Sequence, residues 1–247
     1  MYPRILIFFL LLSSCIEPID TFKLTTAKPV FDGANKLWAH RVNNPDEANM
    51  RLMRFYGIEL DMFFEEENEV FDIRHDNDAP KSGLTLDLYF DQVFNEGMYY
   101  YWLDLKNLNP KNEPAITKRL DLLLDKYDLR NQVIVESKDA ASLSLIGKSE
   151  IKTSYWVTAI KYNLEDPAAS SSEAQAIAKE LQQYKFNALS AHYQMVEFLT
   201  YHFPLATIHI WTNGLDTEED KQLIRYFAKN KNIRVILVDY DRNFLRK

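Results

Sequence analysis

Four short clusters in the first half of the chain carry side chains able to move protons or hold a cation. They are His40-Arg41, Glu59-Leu60-Asp61, His75-Asp76 and Asp104-Leu105-Lys106. Glu59 and Asp61 stand two residues apart, so on a strand they share one face, as do Asp104 and Lys106. Their neighbours are almost all apolar, in GIELDMFF and YYYWLDL. A carboxylate on such a strand is costly to bury unless it is paired or holds a metal. Three carboxylates from two neighbouring strands could hold one hard divalent cation, Mg²⁺ or Ca²⁺, through oxygen ligands. Imidazoles titrate near neutrality, so His40 and His75 could serve as base and acid. Lys106 could meet an anionic group. The combination suits a phosphate ester, with cation and ammonium binding the charge while the histidines move protons. Each pair alone is weak, because solvated strand faces often carry such residues. Their joint placement at the ends of successive predicted strands carries the reading.

Those strands alternate with helices along the chain. Extended segments are predicted at 36–42, 57–64, 70–75, 99–105, 132–135, 154–160, 186–190, 207–211 and 233–238. Helical spacing covers 45–55, 84–94, 114–127, 140–146, 171–184, 192–201 and 217–229. Counted as about eight strands, most followed by a helix, this order implies parallel strands with helical crossovers. A single-domain α/β fold follows, a (β/α)8 TIM barrel over 36–247, whose chemistry belongs at the C-terminal strand ends. An open doubly wound sheet is the runner-up. No G-x-G-x-x-G follows the first strand, so a dinucleotide site has no support.

The 247 residues include 29 Lys and Arg against 36 Asp and Glu, a net charge of −7. That acid excess argues against a nucleic-acid partner, which basic patches normally serve. At 47% hydrophobic and 26% charged, the composition is that of a globular chain. The single cysteine, Cys15, excludes an intramolecular disulfide and a Cys-rich zinc site. It follows MYPRILIFFLLLSS, a basic start and a short apolar run. Ile5 to Leu12 is too short to span a bilayer, which takes about 20 residues, and reads instead as a secretory signal. Leu12-Ser13-Ser14-Cys15 looks like a bacterial lipobox. Residues 1–14 are therefore expected to be a signal peptide, Cys15 the lipidated residue and 15–35 a tether. The expected address is the bacterial cell envelope, periplasmic or surface-facing. Contact with the membrane is expected through the lipid anchor only, and the protein is expected to be a monomer.

Taken in order, His40-Arg41, Glu59-x-Asp61, His75-Asp76 and the acid-x-Lys strand resemble the glycerophosphodiester phosphodiesterase superfamily. Ile208 to Asn213 (IHIWTN) is similar to a Trp-Thr strand near that family's C-terminus. The resemblance runs from about Leu37 to Asp239 and is strongest between 37 and 107. It implies a metal-dependent TIM barrel in which Glu59, Asp61 and Asp104 bind one divalent cation. It further implies that His40 and His75 are the acid–base pair and that Lys106 holds a phosphate oxygen. Arg41 is a second phosphate candidate, although strand alternation points it out of the barrel. Trp211 is a candidate wall of the site. The implied substrate is a glycerophosphodiester or a lysophospholipid-like phosphodiester, small molecule or lipid headgroup. The alternative is a barrel that binds lipid or phosphate without turnover. Two departures, His40-Arg41-Val42-Asn43 in place of H-R-G and Asp104 in place of Glu, are similar to the sphingomyelinase D branch. The disulfide-tied loop of those toxins has no counterpart here. A menorin-like branch is a third relative.

Outside that set, Glu65-Glu66-Glu67 with Glu69 reads as a solvated turn. His209 shares the face of Trp211 and reads as an interior histidine. Tyr99 to Trp102 reads as barrel packing. His192, Glu136 and Ser137 follow or end strands and are left outside the core set.

Overall fold

The computed structural model describes residues 36–93, 99–160, 171–212, 214 and 217–239. Residues 1–14, Cys15 and the segment 15–35, read above as signal, lipidation site and tether, lie outside the described residues, as does Asn213. The elements run β1 (Leu37–Ala39), α1 (Pro45–Leu52), β2 (Gly57–Glu65), β3 (Val70–Ile73), α2 (Leu86–Gln92) and β4 (Tyr100–Leu105). They continue with α3 (Glu113–Lys126), β5 (Val133–Ser137), α4 (Ala140–Ile146), β6 (Lys152–Trp156) and α5 (Ser171–Gln183). Last come β7 (Ala188–His192), α6 (Val196–His202), β8 (Ile208–Trp211), α7 (Glu218–Lys229) and β9 (Ile233–Val238).

Eight of these strands form a closed parallel barrel in the order β1-β2-β4-β5-β6-β7-β8-β9. Closure is made by β1, which pairs with β9 through Trp38 opposite Leu237 and with β2 through Ala39 opposite Ile58. The ninth strand, β3, departs from the expected pattern. It runs antiparallel to β2, with Phe63 opposite Asp72, as an appended hairpin. Only four residues separate β2 from β3, and a parallel return needs a crossover of a dozen or more.

Helix starts follow local chemistry. Asn44 accepts from the N–H groups of Asp46 and Glu47 just ahead of Pro45, and Thr85 accepts from Leu88 N–H to start α2. Asp139 caps α4, and Thr217 with Asp220 forms a reciprocal capping box on α7.

Alternation along each strand builds two separate cores. Outward residues such as Ile58, Leu60, Leu103, Val135, Leu189, Ile210 and Ile236 are buried against the helices. Inward residues Trp38, Trp102, Ile134, Val235 and Leu237 fill the barrel itself. Tyr100 stacks on Trp38 with ring centroids 5.8 Å apart, so the aromatic run of β4 is indeed packing. Gly57 is required by this filling: a Cβ there would lie 2.6 Å from the Trp38 indole. Gly57→Ala is therefore expected to destabilise the protein by about 1–3 kcal/mol through overpacking. Urea or thermal unfolding of the variant would measure it, and an unchanged midpoint would contradict this account of the barrel interior.

Candidate active site

At the C-terminal strand ends the barrel opens into a cavity of about 170 Å³. His40, Arg41, Glu59, Asp61, His75, Asp104, Lys106 and Trp211 all line it, so the core candidate set meets there, while Ser137, His192 and His209 stay outside the lining. Glu136, Trp156 and Leu237 complete the wall.

The register of β2 with β4 explains the acidic floor. Asp61 pairs with Asp104 and Glu59 with Trp102, which points Glu59, Asp61 and Asp104 inward on adjacent strands. Each is at most 6% exposed. Each offers an oxygen within 4.8 Å of the other two. Lys106 Nζ donates to Asp61 Oδ1 at 2.7 Å and also to Asp104. Asn43 pins Asp61 twice, its Nδ2 donating to Asp61 Oδ2 at 2.9 Å and its Oδ1 accepting from the Asp61 N–H at 2.8 Å. The Arg41 N–H donates to Glu59 Oε2 at 2.7 Å. Asp104 Oδ1 is buried without a hydrogen-bond partner.

Burial pushes the Glu59 carboxyl well up, and the charges of Asp61 and Asp104 push it further, against the Arg41 N–H and Lys106. Burial likewise raises Asp104, against the pull of Lys106. Lys106 moves the other way: burial lowers it, but Asp104 and Asp61 more than offset that and hold the ammonium charged. Three buried carboxylates thus share one ammonium, and one of their oxygens is unsatisfied. An oxygen-only, strongly anionic set of this kind is the donor chemistry of a hard divalent cation.

The two histidines are held differently. His40 follows β1 directly, and its Nδ1 lies 2.7 Å from Asp239 Oδ1, just beyond β9. Burial raises the Asp239 carboxyl, but bonds from His40 and from the Gly214 N–H prevail and hold it below the usual range. As a carboxylate Asp239 only accepts, so Nδ1 of His40 carries the proton. Its Nε2 is turned toward the floor, 3.7 Å from Glu59 Oε2. His75 sits beyond β3 on the hairpin, and its Nδ1 lies 2.7 Å from Asp76 Oδ1.

The loop that carries His75 is tied at its base. Asp72 accepts from Ser82 N–H at 3.2 Å, Ser82 Oγ at 3.0 Å and Gly83 N–H at 3.0 Å, and pairs with Arg74 at 2.5 Å. Glu65 pairs with Arg74 and Lys81, each at 2.7 Å. The acidic turn expected at 65–69 is therefore solvated only from Glu66 onward; Glu65 belongs to this ion cage.

Arg41 is placed otherwise than strand alternation suggested. The strand ends at Ala39, and Arg41 takes a left-handed conformation, φ 54°, which brings it to the cavity and its N–H to Glu59. Trp211 meets Trp156 edge to face at 5.2 Å, forming one wall. Lys106 and Lys138 ammonium groups lie 5.5 Å and 3.8 Å from the Trp156 ring centroid. His209 lies deeper, against Trp102, with its Nδ1 3.0 Å from Ser154 Oγ; burial pushes it down to about 3, which keeps it neutral. Asp239 and Trp156 had no place among the sequence candidates, and Asn43 entered only as part of a motif. Asp239 is 199 residues from His40 along the chain, and only barrel closure joins them.

Neither known family models nor curated proteins match the chain. Solved structures do. A glycerophosphodiester phosphodiesterase from Parabacteroides distasonis superposes with TM-score 0.65 at 16% identity, over 87% of this chain and 97% of that one. The enzyme of the same name from Agrobacterium tumefaciens gives 0.54 at 14% identity, over 86% and 100%. A glycerophosphoryl diester phosphodiesterase domain from Mycobacterium tuberculosis gives 0.50 at 11% identity, over 86% and 97%. At these identities the likeness establishes the fold.

Proposed function

We propose that the protein is a divalent-cation-dependent phosphodiesterase acting on a glycerophosphodiester or lysophospholipid-like phosphodiester. The observation that carries this is the shared cavity. Three buried carboxylates with an unsatisfied oxygen, one ammonium and two carboxylate-backed histidines face the same space. The likeness to three structures named as diester phosphodiesterases supports the same chemistry.

Glu59, Asp61 and Asp104 would hold the cation, Mg²⁺ or Ca²⁺, which when bound supplies charge stabilisation to phosphoryl oxygens. Lys106 adds a fixed positive charge beside them, and Arg41 stands at the rim. Trp156 and Trp211 exclude water from one side of the cavity. Cleavage needs a bond from an attacking oxygen to phosphorus and release of the ester oxygen. One histidine takes the proton of the attacking hydroxyl, whether water or a neighbouring substrate hydroxyl. The other gives a proton to the leaving oxygen. Asp239 and Asp76 hold Nδ1 of each ring, which leaves both Nε2 atoms for these transfers.

The direct test is turnover of glycerophosphodiesters and lysophospholipids with Mg²⁺ or Ca²⁺, followed by chelation. Turnover that chelation stops and added cation restores is expected. No turnover across both substrate classes would favour a binding lipoprotein on the same barrel.

The proposed setting is the bacterial cell envelope, periplasmic or surface-facing, with Cys15 lipidated and the barrel a monomer. Among the described residues no helix is long and apolar enough to cross a membrane. Cys15→Ser should move the protein from the membrane pellet to the soluble fraction. If the variant still pellets through a salt wash, the anchor lies elsewhere.

A further inference from the structure

The barrel end opposite the cavity has a charge of its own. The ring strands are all parallel, so each helix returns to that end and the loops leading from helix to strand collect there. On the arc from β6 round to β2, residues 36, 53–56, 147–152, 184–187, 203–207 and 230–234 hold seven Lys or Arg against one acid, Glu150. The chain as a whole carries −7. Hydrogen bonds tie these segments together. Lys36 Nζ donates to the Asn230 carbonyl at 2.7 Å, and Asn232 Nδ2 to the Pro204 carbonyl at 2.5 Å. The Lys185 N–H donates to Ser144 Oγ at 3.2 Å, beside the 147–152 loop. Lys148, Lys185 and Lys231 are exposed and make no ion pair with another described residue. On the remaining arc Arg130 is instead neutralised by Asp121 and Asp125. Burial and the neighbouring Arg234 together push Lys36 below the usual lysine range.

Exposed apolar side chains crowd the same end. Met53, Tyr56 and Leu205 lie in the loops, and Leu145, Tyr201 and Tyr226 in the last turns of helices that lead into them. Among the described residues only Leu88 and Leu122 of this kind lie farther off. An apolar patch of this extent on a soluble barrel marks an interaction surface. Its interleaved cations select an anionic one. A second copy of the chain is a poor occupant, because a two-fold contact would set the basic patch against itself.

We propose that this end of the barrel docks on a bilayer of anionic phospholipid, with the cavity facing away from it. Tyr and Leu side chains enter the headgroup layer while the ammonium groups meet lipid phosphates. β1 starts at this end with Leu37, so the chain that follows Cys15 joins the barrel on the docked side. The lipid anchor expected at Cys15 and the basic face would then bear on one membrane, and the face extends the contact beyond the anchor. With the phosphodiesterase reading, a diester enters the cavity from the aqueous side; the docking itself does not rest on that reading.

The test sediments full-length Cys15→Ser protein, which lacks the acylation site, with vesicles of phosphatidylglycerol and phosphatidylethanolamine or of phosphatidylcholine alone. Binding to the anionic vesicles should be at least about tenfold stronger and should weaken with salt. Each lysine near such a surface contributes about fivefold, so adding Lys148→Glu, Lys185→Glu and Lys231→Glu together should lower it by at least about tenfold. The three side chains are exposed, so the melting temperature should hold. The N-terminal residues are common to both proteins and cannot produce the difference. Lysine acetylation read by mass spectrometry gives the orientation. Anionic vesicles should protect Lys148, Lys185 and Lys231 and leave Lys81, Lys111 and Lys138, in the loops at the cavity end, reactive. Equal binding to both vesicle types, unchanged binding by the triple variant or protection of the cavity-end lysines overturns the proposal. So does a dimer in the ultracentrifuge that the triple variant makes monomeric, since the face would then serve a second copy. None of these readouts needs turnover, so the docking and the phosphodiesterase reading can fail separately.

Discussion

Replacing either histidine by alanine should lower kcat by about 10²–10⁴-fold, the span usual for a positioned acid or base. His40→Ala removes a ring whose Nδ1 is tied to Asp239 and whose Nε2 faces the acidic floor. His75→Ala removes the hairpin-borne ring that lines the same cavity. With both rings in one reaction, as proposed, the double variant should lose little more than the worse single one. The fold should be unaffected, since neither side chain belongs to the barrel core. Asp239→Asn is the companion experiment. An amide can donate to Nδ1 and so favour the wrong tautomer, and it should cost activity with KM little changed. Steady-state kinetics on one diester substrate, with circular dichroism to verify folding, would check all four variants. Retention of more than a tenth of parental kcat in both single histidine variants would remove them from the reaction.

The second expectation is a gain in stability that abolishes function. Glu59→Gln should stop turnover and yet raise the melting temperature of the cation-free protein. Like charges about 5 Å apart repel by roughly 3 kcal/mol at an effective dielectric near 20, and Glu59 faces two such neighbours with one ammonium between them. The amide keeps an acceptor for the Arg41 N–H, so little is lost in exchange. A rise of about 2–6 °C is expected for a domain of this size. Added Mg²⁺ or Ca²⁺ should raise the melting temperature of the parent and leave that of the variant nearly unmoved. A variant that melts lower than the parent, or that responds equally to cation, would show that the three carboxylates are not a cation site.

Most of the architecture was readable because it is written in local patterns. Strand and helix periods alternate along the chain, and caps such as Asn44-Pro45 and Thr217 stand where helices begin. The gathering of His40, Glu59, Asp61, His75, Asp104 and Lys106 in one cavity was readable for a related reason. Charged residues on strands of Ile, Leu, Phe and Trp have few places to go, and parallel barrels collect strand ends at one mouth. The direction of β3 was also available, in the four-residue spacing after β2, but the strand–helix rhythm concealed it. The conformation of Arg41 could not be read, because it depends on β1 stopping after three residues. Asp239 is the clearest case of a contact beyond sequence reach. Nothing near it indicates a partner, and it meets His40 only because the last strand closes on the first. Glu136 was visible as a strand-end acid, but its bond to Trp102 depends on a register that periodicity does not give.

The hairpin has a bearing on how such a protein can change over generations. His40 descends from the closure of the barrel, so any mutation that displaces it also threatens the fold. His75 descends from an appended strand and a loop whose ends are clasped by Asp72, outside the eight-stranded ring. Residues 76–81 are nearly all exposed, and within the clasp their length and composition can drift without disturbing either core. One partner of the pair is thus inherited with the scaffold, while the other rides on a segment open to insertion and exchange. Divergence toward new substrates has its least obstructed route through that segment.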